Sequence, residues 1–510
     1  MHLKTLMKVL VLSASYCLVN AGTPSAKMWQ SKFNWIKSKD MPELIKKARK
    51  RHQTRKLANY NSTDKESMSK EYRELIDNVI AADSPEKIDG LLTKLEKKID
   101  SMPADAKFLG SHLLLMKPFR GIVYRMIPLA GKERITQGFI RNKVKILASN
   151  LRIYLPLEHW EAGFDYLTEP YKLKSGEIVS QFEDAKEKKS TRGSKVKRTY
   201  IKEFGAENFQ EFVGAEIYPA MAKALERIES ISFENPIVWD NKVAFGKDSF
   251  KDDFEETRYR KIGEAERHLN ISSLHLGMHY LNYLVSYDIR GSISLSKDIG
   301  KLYGIDGFFS RNPDGVPSYD WVKVVERKSY DNIGRLRDGY KENMSLSFKH
   351  LQEGVKHLRL AREELRNESP SRLFAINPGT LNPWDENIEK QFKHIECLTS
   401  DSSEGTCAIR SAITGKSVVI NLREFYQNPP SNLKDYLPTE WNTDKKRMFK
   451  KHGKKYPNYL WGTPKSWNVS HYKQFFPELK SDKEIPEYVR TMRQAFGGEA
   501  FGVPLALFVE

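Results

Sequence analysis

Apolar side chains at Met68, Tyr72, Leu75, Ile76, Val79 and Ile80 recur every three or four residues, the spacing of one helical face. Asp83-Ser84-Pro85 then supplies an N-cap and a proline suited to the first helical turn. Ile88, Leu91, Leu92, Leu95 and Ile99 form the next stripe, closed by Met102-Pro103. Two short helices joined by a tight turn predict an antiparallel pair. From Phe108 to Tyr171 the pattern is less regular, interrupted by Pro118, Pro128, Pro156 and Pro170, and reads as helices with some strand. Phe209 to Ile231 is a long amphipathic stretch (Phe212, Val213, Ile217, Met221, Leu225, Ile228) despite Pro219, and Glu264 to Ile289 reads as a helix apolar nearly all round. Met344, Phe348, Leu351, Val355, Leu358 and Leu365 mark a further long helix ending near Asn367, before Pro370. Ile395–Leu398, Thr406–Ile413 and Ser417–Leu422 then read as a three-stranded meander with Thr414-Gly415-Lys416 as its second turn. The expected fold is therefore mainly α, a multi-helix, bundle-like chain with a small antiparallel β meander near residues 393–422.

Length and composition change this picture only modestly. At roughly 150 residues per domain, 510 residues suggest two to four domains. Trp 9, Tyr 23 and Phe 25 give the chain enough large apolar surface to fold despite 29% charged residues. The expected divisions are a leader at 1–21, a basic lead-in and helical region at 22–183, a basic linker or exposed loop at 184–202, a central helical domain at 203–370, and a C-terminal region at 371–510. No repeat of fixed period occurs.

The first 21 residues carry Lys4 and Lys8 ahead of the apolar run Val9 to Val19 and end Val19-Asn20-Ala21, the three-part pattern of a cleavable secretory signal. The expected location of the mature chain is periplasmic or extracellular, and no later segment offers the ~20 uncharged apolar residues of a membrane span. Loss of Lys4 and Lys8, with no acid removed, would lower the formal charge from +18 to +16. Cleavage also discards Cys17 and leaves Cys397 and Cys407, an even number in an oxidising compartment, which predicts a local disulfide rather than a redox pair.

Two constellations are candidates for chemistry. On the helix from Glu264, residues Glu264, His268, His275, His279 and Asn282 fall within an arc of roughly 60° at about 100° per residue. His275 and His279, one turn apart, could offer two nitrogens to a transition metal, with a third ligand from another helix. His350, Glu353 and His357 on the later helix lie at the edge of its apolar face and are expected to meet solvent. Neither helix carries Glu-x-x-His or His-Glu-x-x-His, so the plainer reading, core histidines bonded to carbonyls or hydroxyls, is favoured.

The second constellation is the stretch 441–476, where lysines alternate with aromatics. Lys445, Lys446, Arg447, Lys450 and Lys451 with Tyr456, Tyr459, Trp461 and Trp467 are the candidate ligand-binding residues, because cations beside aromatic faces hold polyanions or stack on sugars and bases. Outside the cytoplasm the expected partners are anionic envelope polymers or lipid headgroups rather than nucleic acid. Other strings fail. Thr414-Gly415-Lys416-Ser417 lacks the leading glycine of a phosphate loop, and no Gly-x-Ser-x-Gly elbow occurs. No catalytic motif is recognised. The expectation is an exported binding or structural component at an anionic envelope surface. The alternative is a metal-binding protein or metal-dependent enzyme built around the His268, His275 and His279 helix.

Overall fold

The computed structural model describes residues 67–122, 160–168, 182–240, 259–295, 319–367, 392–443 and 449–495, with short breaks inside several spans. The leader 1–21 and the basic lead-in 27–56 lie outside them. The described chain is mainly helical, with six two-stranded antiparallel pairings among those residues. None of its helices is long and apolar enough to cross a membrane.

The N-terminal elements follow the periodicity closely. Helix α1 (Lys70–Ala81) buries Tyr72, Leu75, Ile76, Val79 and Ile80, and its N-cap Ser69 accepts a hydrogen bond from the Tyr72 N–H. Helix α2 (Pro85–Lys98) starts on the Ser84 cap with Pro85 in its first turn and buries Ile88, Leu92 and Leu95. Helix α3 (Ala104–Leu114) is fastened to α1 through Asp105, whose carboxylate accepts from the Ser69 N–H at 2.8 Å and the Ser69 hydroxyl at 2.7 Å. Helix α4 (Trp160–Thr168) packs beside α2.

Within 184–202, expected as a loop, the backbone pairs: β1 (Phe182–Asp184) lies against β4 (Thr199–Ile201), and β2 (Lys188–Lys189) against β3 (Lys195–Val196). Helix α5 (Ala206–Phe212) then runs into a π-helical segment, Val213–Ile217, and on into α6 (Tyr218–Glu229). This explains how the stripe continues past Pro219. A proline inside an α-helix removes a hydrogen bond and strikes the carbonyl four residues back, whereas the π turn places Pro219 in the first turn of a new helix. Strands β5 (Ile237–Asp240) and β6 (Tyr259–Ile262) pair antiparallel and lead into α7 (Glu264–Ser286). The buried Glu266 carboxylate accepts from the Gly263 N–H at 2.8 Å and so closes the start of α7.

After α8 (Tyr319–Val325) comes α9 (Lys341–Asn367), 27 residues long, which packs against α7. Strands β7 (Cys407–Arg410) and β8 (Ser417–Ile420) form a hairpin, with α10 (Leu422–Gln427) following. The third expected strand is absent. Residues 392–399 are helical, because Phe392, Ile395 and Leu398 recur at a helical spacing of three, so the meander reduces to one hairpin beside a helical turn. Cys397 on that turn and Cys407 on β7 are joined as a disulfide, their Cα atoms 5.6 Å apart. Strands β9 (Glu440–Thr443) and β12 (Gly462–Ser466) pair, as do β10 (Phe449–Lys451) and β11 (Lys454–Tyr456), and the described chain ends with α11 (Val469–Lys473) and α12 (Ile485–Ala495).

One apolar core gathers side chains from α1 to α7, including Tyr72, Phe108, Phe209, Trp239 and Met278. A second gathers Met344 and Phe348 of α9 with Ile409, Val418, Phe425, Tyr472, Phe475 and Met492. Tyr283 and Tyr287 carry the end of α7 and its next residue into this second core, so the α7–α9 contact joins the two.

Small residues allow these helices to approach. A Cβ on Gly354 would stand 2.9 Å from Leu276 Cγ, and the Ser272 hydroxyl donates to the Gly354 carbonyl at 2.7 Å. Gly90 on α2 faces open space instead. Gly354→Val is expected to lower stability by about 1–3 kcal/mol through overpacking, whereas Gly90→Ala should raise it by roughly 0.5–1 kcal/mol through helix propensity. Urea denaturation of the two variants checks the contrast, and equal effects would contradict the close helix contact.

Candidate metal centre

Helices α7 and α9 run antiparallel and place histidine against histidine. The Nδ1 atoms of His268 and His357 are 2.9 Å apart, and so are those of His275 and His350. Between these pairs the His275 and His357 rings stack, with centroids 6.0 Å apart and planes 22° from parallel. Each Nδ1 contact needs one protonated and one bare nitrogen, so it holds two neutral rings in complementary tautomers. The chain of contacts continues outward: the Tyr218 hydroxyl on α6 is 2.8 Å from His350 Nε2.

One turn further along α7, His279 is held differently. Its Nδ1–H donates to the Ser347 carbonyl at 3.0 Å, the Ser347 hydroxyl donates to the His279 carbonyl at 2.7 Å, and the ring lies 5.7 Å from Tyr426. This is the environment of a core histidine, bonded through Nδ1 to the facing helix.

Burial sets the ionisation of the whole group. His275, His279, His350 and His357 are each pushed down to about 4, first by burial in every case. Repulsion from His350 and His357 adds to the effect at His275, from Lys349 at His350, and from His268 and Lys356 at His357. His268 is lowered as well, again chiefly by burial. All five rings are therefore uncharged at neutral pH, the form that coordinates metals.

A carboxylate completes the cluster. Glu229 is the last residue of α6, and Arg267 of α7 ties that helix end down by donating to the carbonyls of Ile228 at 3.3 Å and Glu229 at 2.8 Å. Partial loss of hydration at the helix junction raises the carboxyl of the otherwise exposed Glu229 above its ordinary range, opposed by Arg267. One ligand atom from each of Glu229, His275 and His357 lies within 4.8 Å of the other two. Three helices thus bring two imidazoles and a carboxylate together. The Nδ1 atoms of both rings face other imidazoles, so Nε2 is the nitrogen that each turns to other partners.

This arrangement differs from the sequence expectation. The expected pair, His275 and His279, is split: His275 joins Glu229 and His357, while His279 sits with Ser347 one turn away. His350 and His357, expected to meet solvent, are half-buried and face the α7 histidines, because close packing at Gly354 draws that edge of α9 inward. Glu229 lies 46 residues before His275 on a different helix, where no local spacing points to it.

The basic aromatic stretch divides. Lys445, Lys446, Arg447, Tyr459 and Trp461 lie outside the described residues, while Lys450 and Lys451 fall in β10 and Tyr456 in β11. Trp467 is buried in the second core with Tyr472, Phe475 and Phe476, so it is a packing residue rather than a stacking platform for a ligand. Comparison with protein-family models, curated proteins and solved structures finds no match to this chain.

An imidazole held neutral down to about pH 4 when folded, but taking a proton near pH 6.5 when unfolded, favours the unfolded chain in acid. The stability these rings protect is intact above pH 6.5 and is lost as pH falls towards 4. Urea midpoints are expected to drop steadily between pH 7 and 5, above the ordinary carboxylate range. A midpoint that stays level over that interval would show that the rings titrate normally.

Proposed function

We propose that this chain is an exported protein that binds a divalent transition metal between α6, α7 and α9. The ion is held by Nε2 of His275, Nε2 of His357 and the Glu229 carboxylate. The convergence of these three ligand atoms from three helices carries the reading. Two histidines and one carboxylate suit zinc, iron(II) and their neighbours in the first transition row. Binding displaces little proton from rings that are already neutral. The Nδ1 contacts to His268 and His350, the latter backed by Tyr218, keep both ligand rings from turning, the role that outer partners play in metal sites.

Three protein ligands leave at least one coordination position for water or a small molecule, and Glu229 is exposed, so the ion would be reachable from solvent. That combination favours an exchangeable or catalytic ion over a sealed structural one. Export rests on the sequence pattern of residues 1–21, and detection of a mature N-terminus at Gly22 would support it.

Titration of metal-free protein with Co²⁺, followed by its visible absorption, and with Zn²⁺ by calorimetry is expected to give one ion per chain. His357→Ala and Glu229→Gln should weaken binding at least tenfold. His350→Ala should weaken it about 10–100-fold as the loss of an outer partner, and His279→Ala should leave it within about twofold. Absence of stoichiometric metal, or equal dependence on His279, would overturn the assignment.

A further inference from the structure

A divalent ion held by His275, His357 and Glu229 meets two neutral rings and a single carboxylate, so one positive charge of the ion is left over. Metal-bound imidazoles commonly donate their second N–H to a carboxylate, which adds negative charge to the centre. Here both outer partners are imidazoles instead. His268 stands 2.9 Å from His357 and His350 stands 2.9 Å from His275, Nδ1 to Nδ1 in each case. At about pH 8 even an unperturbed imidazole is uncharged. Behind His350 comes the Tyr218 phenol, 2.8 Å from Nε2, and burial holds it in its neutral form. The outer layer therefore contributes no charge to the ion.

The charged groups nearby largely cancel in pairs. Lys356 donates to the Glu353 carboxylate at 3.0 Å, and Arg267 donates to Glu264 at 2.9 Å. Glu226, one turn before Glu229 on α6, is exposed and screened by water, as is Lys349 beside His350. Leaving a net positive charge at a half-buried junction is costly. Glu229 is exposed, so an anion can reach the ion from solvent. A monoanion there makes the centre neutral, whereas a dianion overshoots. Zinc and its neighbours accept carboxylate oxygen.

Resting on the metal reading above, we propose that the open position of the ion takes the carboxylate of a small organic acid, in preference to phosphate and to uncharged ligands. The preference comes from the all-imidazole outer layer, which leaves the ion one negative charge short. Within the chain the rival for this position is Glu353, one turn before His357 on α9, and its ion pair with Lys356 engages it elsewhere.

The full chain, saturated with Co²⁺ at about pH 8, is titrated with acetate, inorganic phosphate and acetamide while the visible absorption of the ion is followed. Acetate should shift the spectrum and saturate, phosphate should bind several-fold more weakly, and acetamide should leave the spectrum unmoved. His350→Gln and His350→Glu both keep an acceptor for the His275 Nδ1–H and differ in charge. With cobalt saturating each variant, the Glu form should bind acetate about tenfold more weakly than the Gln form. Glu229→Gln removes the one negative ligand, and its cobalt form should bind acetate more tightly than the parent chain. Equal acetate affinity in the two His350 variants would overturn the proposal, as would phosphate binding more tightly than acetate or acetamide acting like acetate. An acetate response that appears only in Glu353→Gln would also overturn it, by giving the open position to Glu353. Failure to load cobalt would overturn the metal reading together with this one, whereas a loaded protein blind to acetate would overturn this one alone.

Discussion

Two helices that bring five histidines to one seam can pack closely only if the rings remain uncharged. Imidazolium ions a few ångströms apart would repel one another, and burial would remove the water that screens them. In α7 and α9 the conflict is met by reciprocal Nδ1 contacts, in which one neutral ring donates and the next accepts. The same contacts fix the tautomers and hold the rings in a row. Gly354, Ser272 and Ser347 make the approach close enough for this to happen, since a larger residue at 354 would meet Leu276.

Much else in the molecule depends on that seam. Leu281, Leu284 and Val285 of α7 belong to the first core and Tyr283 between them to the second, so the two cores meet along this helix. Arg267 brings the end of α6 to the seam and with it Glu229, whose carboxylate converges on two of the rings. Tyr218 on the same helix closes the outer side against His350. A metal held there would bridge three helices and would stabilise the junction in proportion to the logarithm of its concentration above its dissociation constant.

The sequence is most informative where a single helical face decides burial. Spacing alone places Tyr72, Leu75, Ile76, Val79 and Ile80, and Ser84-Pro85 marks the start of α2. Pro219 marks a break in the helix without revealing that a π turn absorbs it. The sequence misleads where local pattern is ambiguous. The run 395–398 suits a strand by composition and a helix by its spacing from Phe392, and helical packing prevails. Lysines alternating with aromatics look the same whether the rings face a ligand or a core, and Trp467, Tyr472, Phe475 and Phe476 are core. The histidine stripe on α7 is visible in the sequence, but its partners are not, because pairing between His275 and His350 or convergence with Glu229 depends on how separate helices dock.

The α7–α9 seam holds its imidazoles neutral, the form that takes up a metal. Two-dimensional NMR of the ring nitrogens tests this most directly, read across pH and then on addition of Zn²⁺. His275, His350 and His357 are expected to stay neutral well below pH 6.5, and Zn²⁺ to shift the Nε2 resonances of His275 and His357 while leaving His279 nearly unmoved. Titration of all three rings near pH 6.5, or a zinc response centred on His279, would contradict it.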